Sequence, residues 1–456
     1  MINKPKKISR RIFVKSSATA ATGIIIAPHL LSCSANRKLN IAVIGVGGRG
    51  EQNWIPCENE NIVALCDVDD RMTAKGFETY PDALRFKDFR VMFDKIGKKI
   101  DAAIISTPNH THFAATMAAM ELGIHVYVEK PLTHNVWQSR ILKKAARYYK
   151  VTTQMGNQGH ATDGIRNVKE WYDAGILGNV TEVEAWFGGP TFQGGRYFKK
   201  PDSYPPAPDP VPEGLDWDLW LGPAKFRPFS NNYLPRLWRG WFDFGNGLLG
   251  DWGCHTLDAP FWALDLGMPK VIETVFSTPA PEGFLQDESI VRYEFPARGN
   301  KPPVTLKWYE GGYKPENRPE WGLDQLPGSG MIMVGDKKSL MTEARPEGER
   351  LLVPEEEWAS FSENLPEQTI PRIGTGPQLE WINAIKGDGP EPGSNFEYAA
   401  DLNEMILLGA LAQKLDTRIE YNAANMKVTN QEEFDQYLKE PARPGWDFKD
   451  LRKFNR

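Results

Sequence analysis

The stretch Leu39-Asn40-Ile41-Ala42-Val43-Ile44-Gly45-Val46-Gly47-Gly48-Arg49-Gly50 decides the fold. Its first six residues predict a buried strand, and the glycines that follow have G-x-G-x-x-G spacing at the start of a predicted helix. A second apolar strand, at 62–66, ends in Asp67, close to the expected distance of about 20 residues beyond the glycines. This arrangement predicts a dinucleotide-binding unit rather than a glycine turn that binds nothing.

The chemistry of that unit follows from its residue types. Glycine lets the backbone approach a pyrophosphate without a Cβ clash, and the helix N-terminus offers free N–H groups. Asp67 can accept hydrogen bonds from the ribose hydroxyls and would repel a 2′-phosphate, which favours NAD over NADP. The cofactor-binding residues predicted here are Gly45, Gly47, Gly48, Arg49, Gly50 and Asp67.

Alternating strand and helix patterns continue as far as Gln158. Apolar strands at 101–106 and 124–128 are each followed by a helical pattern, and a short strand follows at 151–154. Repeated β-α units imply a doubly wound parallel sheet with ligands at the strand carboxyl ends. We therefore assign 36–158 to an NAD-binding Rossmann domain. Further cofactor contacts are predicted at its strand ends, from Thr107, Pro108, Asn109, His112, Glu129, Lys130 and Asn157.

The second half, 159–456, favours an α+β domain with a largely antiparallel open sheet. Strand patterns cluster at 180–187, 271–276, 290–295, 304–309 and 331–334. Helices are predicted at 163–174 and, strongly apolar, at 396–415. The proline-rich segment 201–212 is expected to be a surface loop near the mouth of the site.

Asp251 and His255 are the chemical centre of the second half. Four residues apart, they share one face if the segment is helical. Oxidation of a secondary alcohol removes a hydride from carbon and a proton from oxygen, so the protein must supply a proton acceptor. Histidine does this near neutral pH, and a lysine does so if its pKa is lowered. An isolated pair of this kind is more often a helix cap, and the nucleotide motif is what favours a catalytic role.

Taken together, these motifs resemble the glucose-fructose oxidoreductase / inositol dehydrogenase / rhizopine-catabolism (Gfo/Idh/MocA) family. The resemblance rests on the glycine-rich turn, Asp67, Thr107-Pro108-Asn109-His110-Thr111-His112, Glu129-Lys130-Pro131 and Asp251-x-x-x-His255. The resemblance implies a sugar or polyol substrate and a homo-oligomer formed through the open sheet. It also implies that Lys130, Asp251 and His255 are catalytic, without deciding whether Lys130 or His255 takes the proton.

A sugar pocket is expected beside these groups. The 15 Trp residues are a surplus typical of carbohydrate sites, although core packing explains them equally well. For Trp186 and Trp238 the two explanations have equal weight, and Arg239 is equally well explained as a surface charge. The predicted substrate residues are His160, Trp186, Trp238, Arg239, Asp251 and His255.

The first 35 residues predict an export signal. Ser9-Arg10-Arg11-Ile12-Phe13 is a twin-arginine pattern, and Leu30-Leu31-Ser32-Cys33 resembles a lipobox with Cys33 as the lipidated residue. We therefore expect a periplasmic protein with a lipid anchor at Cys33. An ordinary basic signal peptide, or cleavage elsewhere without a lipid, is the alternative.

The remaining composition excludes several classes of partner and site. The first 33 residues hold six cationic residues and no acidic one, so the rest of the chain is more acidic than the net charge of −5. This excludes a nucleic-acid footprint. Three cysteines remain after Cys33, which imply neither a disulfide framework nor a metal site.

Three reactions are compatible with the sequence. The first is oxidation of a sugar hydroxyl, preferably at the 3-position, with NAD that stays bound and is recycled by a second sugar. The second is a redox-neutral, NAD-dependent glycosidase; Lys130 argues against it, because the resemblance implies that this branch lacks a lysine there. The third is a sugar-binding protein without activity, which the intact set of Lys130, Asp251 and His255 disfavours.

Overall fold

The computed structural model describes residues 37–188, 199–448 and 451–454. The predicted export segment, with Arg10, Arg11 and Cys33, lies outside these residues. Within them, no helix combines the length and the apolar character needed to cross a membrane. Both sheets described below belong to one unit that spans 38–456.

Six parallel strands form the first sheet, in the order β3-β2-β1-β4-β5-β6. This confirms the predicted doubly wound parallel sheet, and the order reverses between β1 and β4, where such folds bind ligands. The edge strand β3 was not predicted, because it is short and its first two residues are exposed. The strands are β1 (Asn40–Ile44), β2 (Asn61–Cys66), β3 (Leu84–Phe86), β4 (Ala102–Ile105), β5 (His125–Val128) and β6 (Thr153–Met155).

A second sheet has nine strands in the order β13-β12-β11-β7-β10-β9-β8-β14-β15. All neighbours run antiparallel except β7 and β10, so the predicted largely antiparallel sheet is confirmed. Its strands are β7 (Val180–Phe187), β8 (Val271–Ser277), β9 (Ser289–Phe295), β10 (Val304–Glu310), β11 (Ser329–Gly335), β12 (Ser339–Thr342), β13 (Arg350–Leu352), β14 (Arg418–Asn422) and β15 (Lys427–Val428).

Helices cover both sheets. In the first half they are α1 (Arg49–Trp54), α2 (Ala74–Thr79), α3 (Phe89–Ile96), α4 (Asn109–Met120), α5 (Val136–Tyr149) and α6 (Asp163–Asp173). In the second half they are α7 (Trp217–Leu221), α8 (Gly247–Thr256), α9 (Asp258–Leu264), α10 (Glu355–Glu363), α11 (Pro377–Lys386), α12 (Phe396–Leu415) and α13 (Asp435–Leu438).

Helix α12 joins the two halves. Asn395 caps its first turn, since the Asn395 side chain accepts hydrogen bonds from the N–H groups of Glu397 and Tyr398. It is apolar on nearly all sides, as expected for a helix buried all round. It packs against α5 and β6 on one side and against α8, β8 and β9 on the other.

Helix α11 covers part of the nucleotide-binding sheet, although it lies far along the chain. Trp381 is fully buried there, with its ring 5.9 Å from that of Tyr127 on β5. Gln378 donates to the side-chain oxygen of Asn53 at 2.9 Å. The second half of the chain therefore supports the helix that follows the glycine-rich turn.

Candidate active site

A cleft of about 670 Å³ opens at the carboxyl ends of the parallel strands, between the glycine-rich turn and α8. This volume is in the range of about 300–1,000 Å³ that small-molecule sites occupy. Of the predicted residues, the structure brings to the cleft Gly45, Gly47, Gly48, Arg49, Asp67, Thr107, Pro108, Asn109, Glu129, Lys130, Trp238, Arg239, Asp251 and His255.

Two glycines of the glycine-rich turn, Gly50 and Gly48, allow close approach of different groups to the backbone. A Cβ on Gly50 would lie 1.8 Å from the Gly45 carbonyl oxygen, so this glycine lets α1 pack directly on the turn and has no place on the cleft wall. Gly48 has a φ of +58°, and a Cβ there would meet no atom within 4 Å. Because Gly48 lines the cleft, that space is available to a group that approaches the backbone.

Asp67 is fixed at the end of β2. Its two carboxylate oxygens accept hydrogen bonds from the backbone N–H of Val46 (2.8 Å) and of Asp69 (3.0 Å). Burial raises the pKa of Asp67, although these backbone hydrogen bonds act in the opposite direction. Asp69 also lines the cleft, and two carboxylates at this end disfavour a 2′-phosphate.

A group of hydrogen-bonded side chains connects α1 with the end of β5. Glu129 accepts from Arg49 Nε (2.9 Å) and from Asn53 Nδ2 (3.0 Å). The buried ring of His112 lies behind the cleft, with its nitrogens 2.8 Å from the carbonyl oxygens of Thr107 and Pro131. His112 thus positions the two loops that carry Thr107 and Lys130 and does not itself line the cleft.

The cleft fits a dinucleotide. Thr107 lines it with a buried hydroxyl that has no hydrogen-bond partner in the described part of the chain. The open space at Gly48 suits a pyrophosphate, and Asp67 lies where ribose hydroxyls would be bound. These groups are matched to the phosphate and hydroxyl groups of NAD.

Lys130 and Asp251 form an ion pair across the cleft. Lys130 Nζ lies 2.7 Å from Asp251 Oδ1 and also donates to the Asp251 backbone carbonyl, which leaves one N–H for a substrate. Arg239 Nε approaches the same Oδ1 at 3.3 Å. Although burial acts to raise it, these positive charges hold the pKa of Asp251 well below its ordinary value. Asp251 is thus ionised and orients both cations.

His255 lies one helical turn after Asp251 and is almost fully buried, with 2% of its surface exposed. Its Nδ1 has no hydrogen-bond partner among the described residues. Burial first, and then the charges of Lys130 and Arg345, hold the pKa of His255 well below its ordinary value. The side chain is therefore a neutral imidazole at neutral pH, and it lines the cleft.

We expect the imidazole of His255 to stay neutral as the pH falls through the ordinary histidine pKa of about 6.5, because burial and the neighbouring cations lower its pKa. The unfolded chain takes up this proton near pH 6.5 and the folded chain does not, so this residue lowers stability as the pH falls further. NMR of histidine-labelled protein, with His255→Asn to assign the resonance, measures the titration. A midpoint near 6.5 for this resonance would contradict the expectation.

Besides Gly50 and His112, three predicted residues lie away from the cleft, and their assignment to the cofactor or substrate is corrected: Asn157, His160 and Trp186. Asn157 and His160 bind the carboxylate of Asp258, with Asn157 Nδ2 at 2.8 Å and His160 Nδ1 at 3.0 Å. Asp258 is fully buried and needs these partners. Trp186 packs in the core, fully buried, and donates its Nε1–H to the Pro327 carbonyl.

Several cleft residues were missed by the sequence analysis, among them Trp252 and Arg345. Trp252 lies inside the Asp251-x-x-x-His255 motif, and its ring stacks on Phe187 at 4.0 Å between centroids. Arg345 comes from the turn between β12 and β13, and no local pattern distinguishes it. With Trp220 and Trp238, Trp252 gives the cleft three indole rings, and Arg239 lies over the ring of Trp238 at 4.4 Å.

Comparison with known proteins identifies the class of protein. Two Gfo/Idh/MocA models match the chain, and together they cover about half of it. They are described as an NAD-binding Rossmann fold, over 39–157, and a C-terminal alpha/beta domain, over 164–274. The chain belongs to the Gfo/Idh/MocA oxidoreductase family, and the prediction of an NAD-binding Rossmann domain is confirmed.

Individual relatives are more distant. A glycosyl hydrolase family 109 protein of Solibacter usitatus is 28% identical over 199 residues, which are 38% of this chain and 44% of that protein. A D-glucoside 3-dehydrogenase of Escherichia coli is 27% identical over 154 residues, 33% of this chain and 43% of that one. The matches thus span less than half of these relatives.

The WlbA dehydrogenase of Chromobacterium violaceum, solved with NADH and UDP-GlcNAcA, shares the fold. Its TM-score is 0.60 at 17% identity, covering 88% of this chain and 99% of that one.

Proposed function

We propose that this protein oxidises a secondary hydroxyl group of a sugar or glycoside, with NAD as the hydride acceptor. The observation that carries the proposal is the arrangement of the Lys130–Asp251 ion pair and the neutral His255 on the same cleft as the glycine-rich turn. The 3-position is our preferred carbon, in line with the relative named D-glucoside 3-dehydrogenase. Indole rings at Trp238 and Trp252 suit the C–H faces of a sugar.

The protein's contribution is to bind the hydroxyl and to manage its proton. NAD supplies the acceptor for the hydride that leaves the carbon. The remaining N–H of Lys130 donates to the substrate oxygen and stabilises the negative charge that develops there. The neutral imidazole of His255 accepts the hydroxyl proton. Asp251 keeps Lys130 in position.

A test begins with the purified protein without added cofactor. Nicotinamide released by heat should be NAD and not NADP, in close to one equivalent per chain. Incubation with a panel of sugars and glycosides should then give keto-sugars detected by mass spectrometry, with a second sugar as the final oxidant. Protein that converts no sugar, with NAD bound or added, would refute the proposal.

A redox-neutral glycosidase is the second candidate, because one relative is named as a glycosyl hydrolase. Such a reaction would release nitrophenol from a nitrophenyl glycoside without net NADH. Nitrophenol release without keto-sugar would favour this candidate over the first.

We also propose that the chain is exported in its folded state with NAD already bound, anchored at Cys33, and acts in the periplasm as a homo-oligomer. Support comes from the twin-arginine pattern and from Leu30-Leu31-Ser32-Cys33. A free NAD pool is confined to the cytoplasm, so a tightly held cofactor is consistent with export. Cell fractionation of a Cys33→Ala variant, compared with the unaltered chain, tests the anchor.

A further inference from the structure

We propose that the sugar substrate carries an oxyanion group, a carboxylate in the first instance, and that Arg345 binds this group. The inference rests on the proposed function, since it names the substrate class of the same cleft. Arg345 lines the cleft together with Trp252 and His255. Its guanidinium lies 5.7 Å from the centroid of the Trp252 ring, on the side of the cleft formed by α8.

The turn that carries Arg345 is held by close backbone contacts. Thr162 Oγ1 donates to the Pro346 carbonyl at 3.1 Å. A Cβ on Gly164 would lie 2.0 Å from that same oxygen, and a Cβ on Gly159 would lie 2.5 Å from the Pro346 ring. Any side chain at these two glycines would displace the turn. The backbone of Arg345 is therefore positioned by its packed neighbour rather than by a loose surface loop.

Arg345 differs from the other cations of the cleft in its partners. Arg49 is paired with Glu129, whereas Lys130 and Arg239 share Asp251. In the described part of the chain, no carboxylate pairs with Arg345, and only the Trp252 ring approaches its guanidinium. The Trp252 ring that it approaches lies 5.6 Å from the ring of His255, between centroids, which places Arg345 near the reacting end of the cleft.

The charge balance at this end favours an anionic ligand. Around α8, Lys130 and Arg239 share one carboxylate, Asp251, and Arg345 adds a further positive charge that has no carboxylate partner in the described part of the chain. A cleft with an excess of one sign concentrates ligands of the opposite sign. A neutral sugar would not use this excess, whereas the planar fork of an arginine matches a carboxylate or phosphate with two hydrogen bonds.

The phosphates of NAD do not account for Arg345. They are expected at the glycine-rich turn, where Gly48 leaves space and Arg49 is braced by Glu129. Arg345 lies instead beside His255, where the reacting carbon must be. Arg345→Gln should therefore leave the content of bound NAD unchanged.

The test compares matched substrates on the NAD-loaded protein. Methyl glucoside is paired with methyl glucuronide, and the 6-phosphate and 6-sulfate of the glucoside distinguish among oxyanions. Keto-sugar formation gives kcat/KM, and quenching of Trp fluorescence gives binding without turnover. We expect at least one oxyanion sugar to be preferred by about tenfold or more, with a preference that weakens as salt is added.

Variants then assign the preference to one residue. Arg345→Gln should lower kcat/KM for the preferred oxyanion sugar on the order of 10- to 100-fold more than for methyl glucoside, as expected for a lost charge-assisted hydrogen bond. Arg345→Lys should restore part of the kcat/KM that Arg345→Gln loses for the oxyanion sugar. Arg147 lies on α5, outside the cleft lining, and pairs with Glu397 at an exposed position. Arg147→Gln removes an equal charge and should leave kcat/KM unchanged for both substrates.

The outcomes separate this inference from the proposed function. Equal turnover of neutral and anionic sugars, or equal losses for both in Arg345→Gln, would overturn the inference and leave the function in place. Salt-sensitive binding of an oxyanion sugar that requires Arg345, without any oxidation, would support the inference and refute the function. Loss of NAD from Arg345→Gln, or binding of no oxyanion sugar, would overturn the inference.

Discussion

Lys130→Met is expected to slow sugar oxidation by about 100-fold or more while NAD stays bound. The substitution removes the N–H that faces the substrate and the cation that stabilises the developing oxyanion, and a positioned group of this kind contributes about 10²- to 10⁴-fold in rate. The turn that binds the cofactor is formed by other residues, so cofactor content should not change. Keto-sugar production and heat-released NAD measure the two quantities separately.

A fold defect must be distinguished from a catalytic one, because removing Lys130 leaves the buried Asp251 with Arg239 alone. A broken buried pair costs on the order of 3–5 kcal/mol of stability. Lys130→Arg keeps the charge beside Asp251 but moves the donor, so it should fold normally and still be slow. Lys169→Met is the matched control, since Lys169 only pairs with Asp173 on α6. Full activity in Lys130→Arg and Lys130→Met would exclude this mechanism.

Features with local causes were predictable from the sequence. The apolar run at 396–415 matches α12 at both ends, because the run is long and Asn395 caps its start. The strand before Gly45 and the helical spacing of Asp251 and His255 likewise depend on neighbouring residues. Patterns of this kind located both walls of the cleft, although they said nothing of how far apart the walls lie.

Features with long-range causes were not predictable. Alternation along β7 places Trp186 on one face of the sheet but does not reveal that the segment around Trp321 covers that face. Asn157 and His160 follow a Rossmann strand, as cofactor ligands do, yet they bind Asp258, which lies about 100 residues further along the chain. Arg345 reaches the cleft only because Gly159 and Gly164 admit Pro346. Each outcome depends on a partner that the local sequence does not identify.

Gly48→Val is expected to abolish the binding of NAD, whereas Gly123→Val is expected to cost only stability. Both glycines have positive φ, +58° and +75°, and a Cβ on either would meet no atom within 4 Å. Each valine therefore introduces backbone strain, on the order of 1–3 kcal/mol at Gly123 and more at Gly48, whose ψ of −106° lies outside the left-handed region that L-residues can adopt. NAD binding differs between the two variants because of location: Gly48 lines the cleft, whereas Gly123 lies in the exposed turn between α4 and β5.

At Gly48 the new side chain would occupy the space that the pyrophosphate needs and would keep it from the backbone N–H groups. Loss of two charge-assisted hydrogen bonds, each worth about 1.5–3 kcal/mol, weakens NAD binding on the order of 100-fold or more. Heat-released NAD should fall to a trace in Gly48→Val and stay stoichiometric in Gly123→Val, while the thermal midpoints of both variants fall. If Gly48→Val kept its NAD, the pyrophosphate would have to lie elsewhere in the cleft. The position of Lys130 relative to the nicotinamide, on which the proposed chemistry depends, would then have to be reassigned.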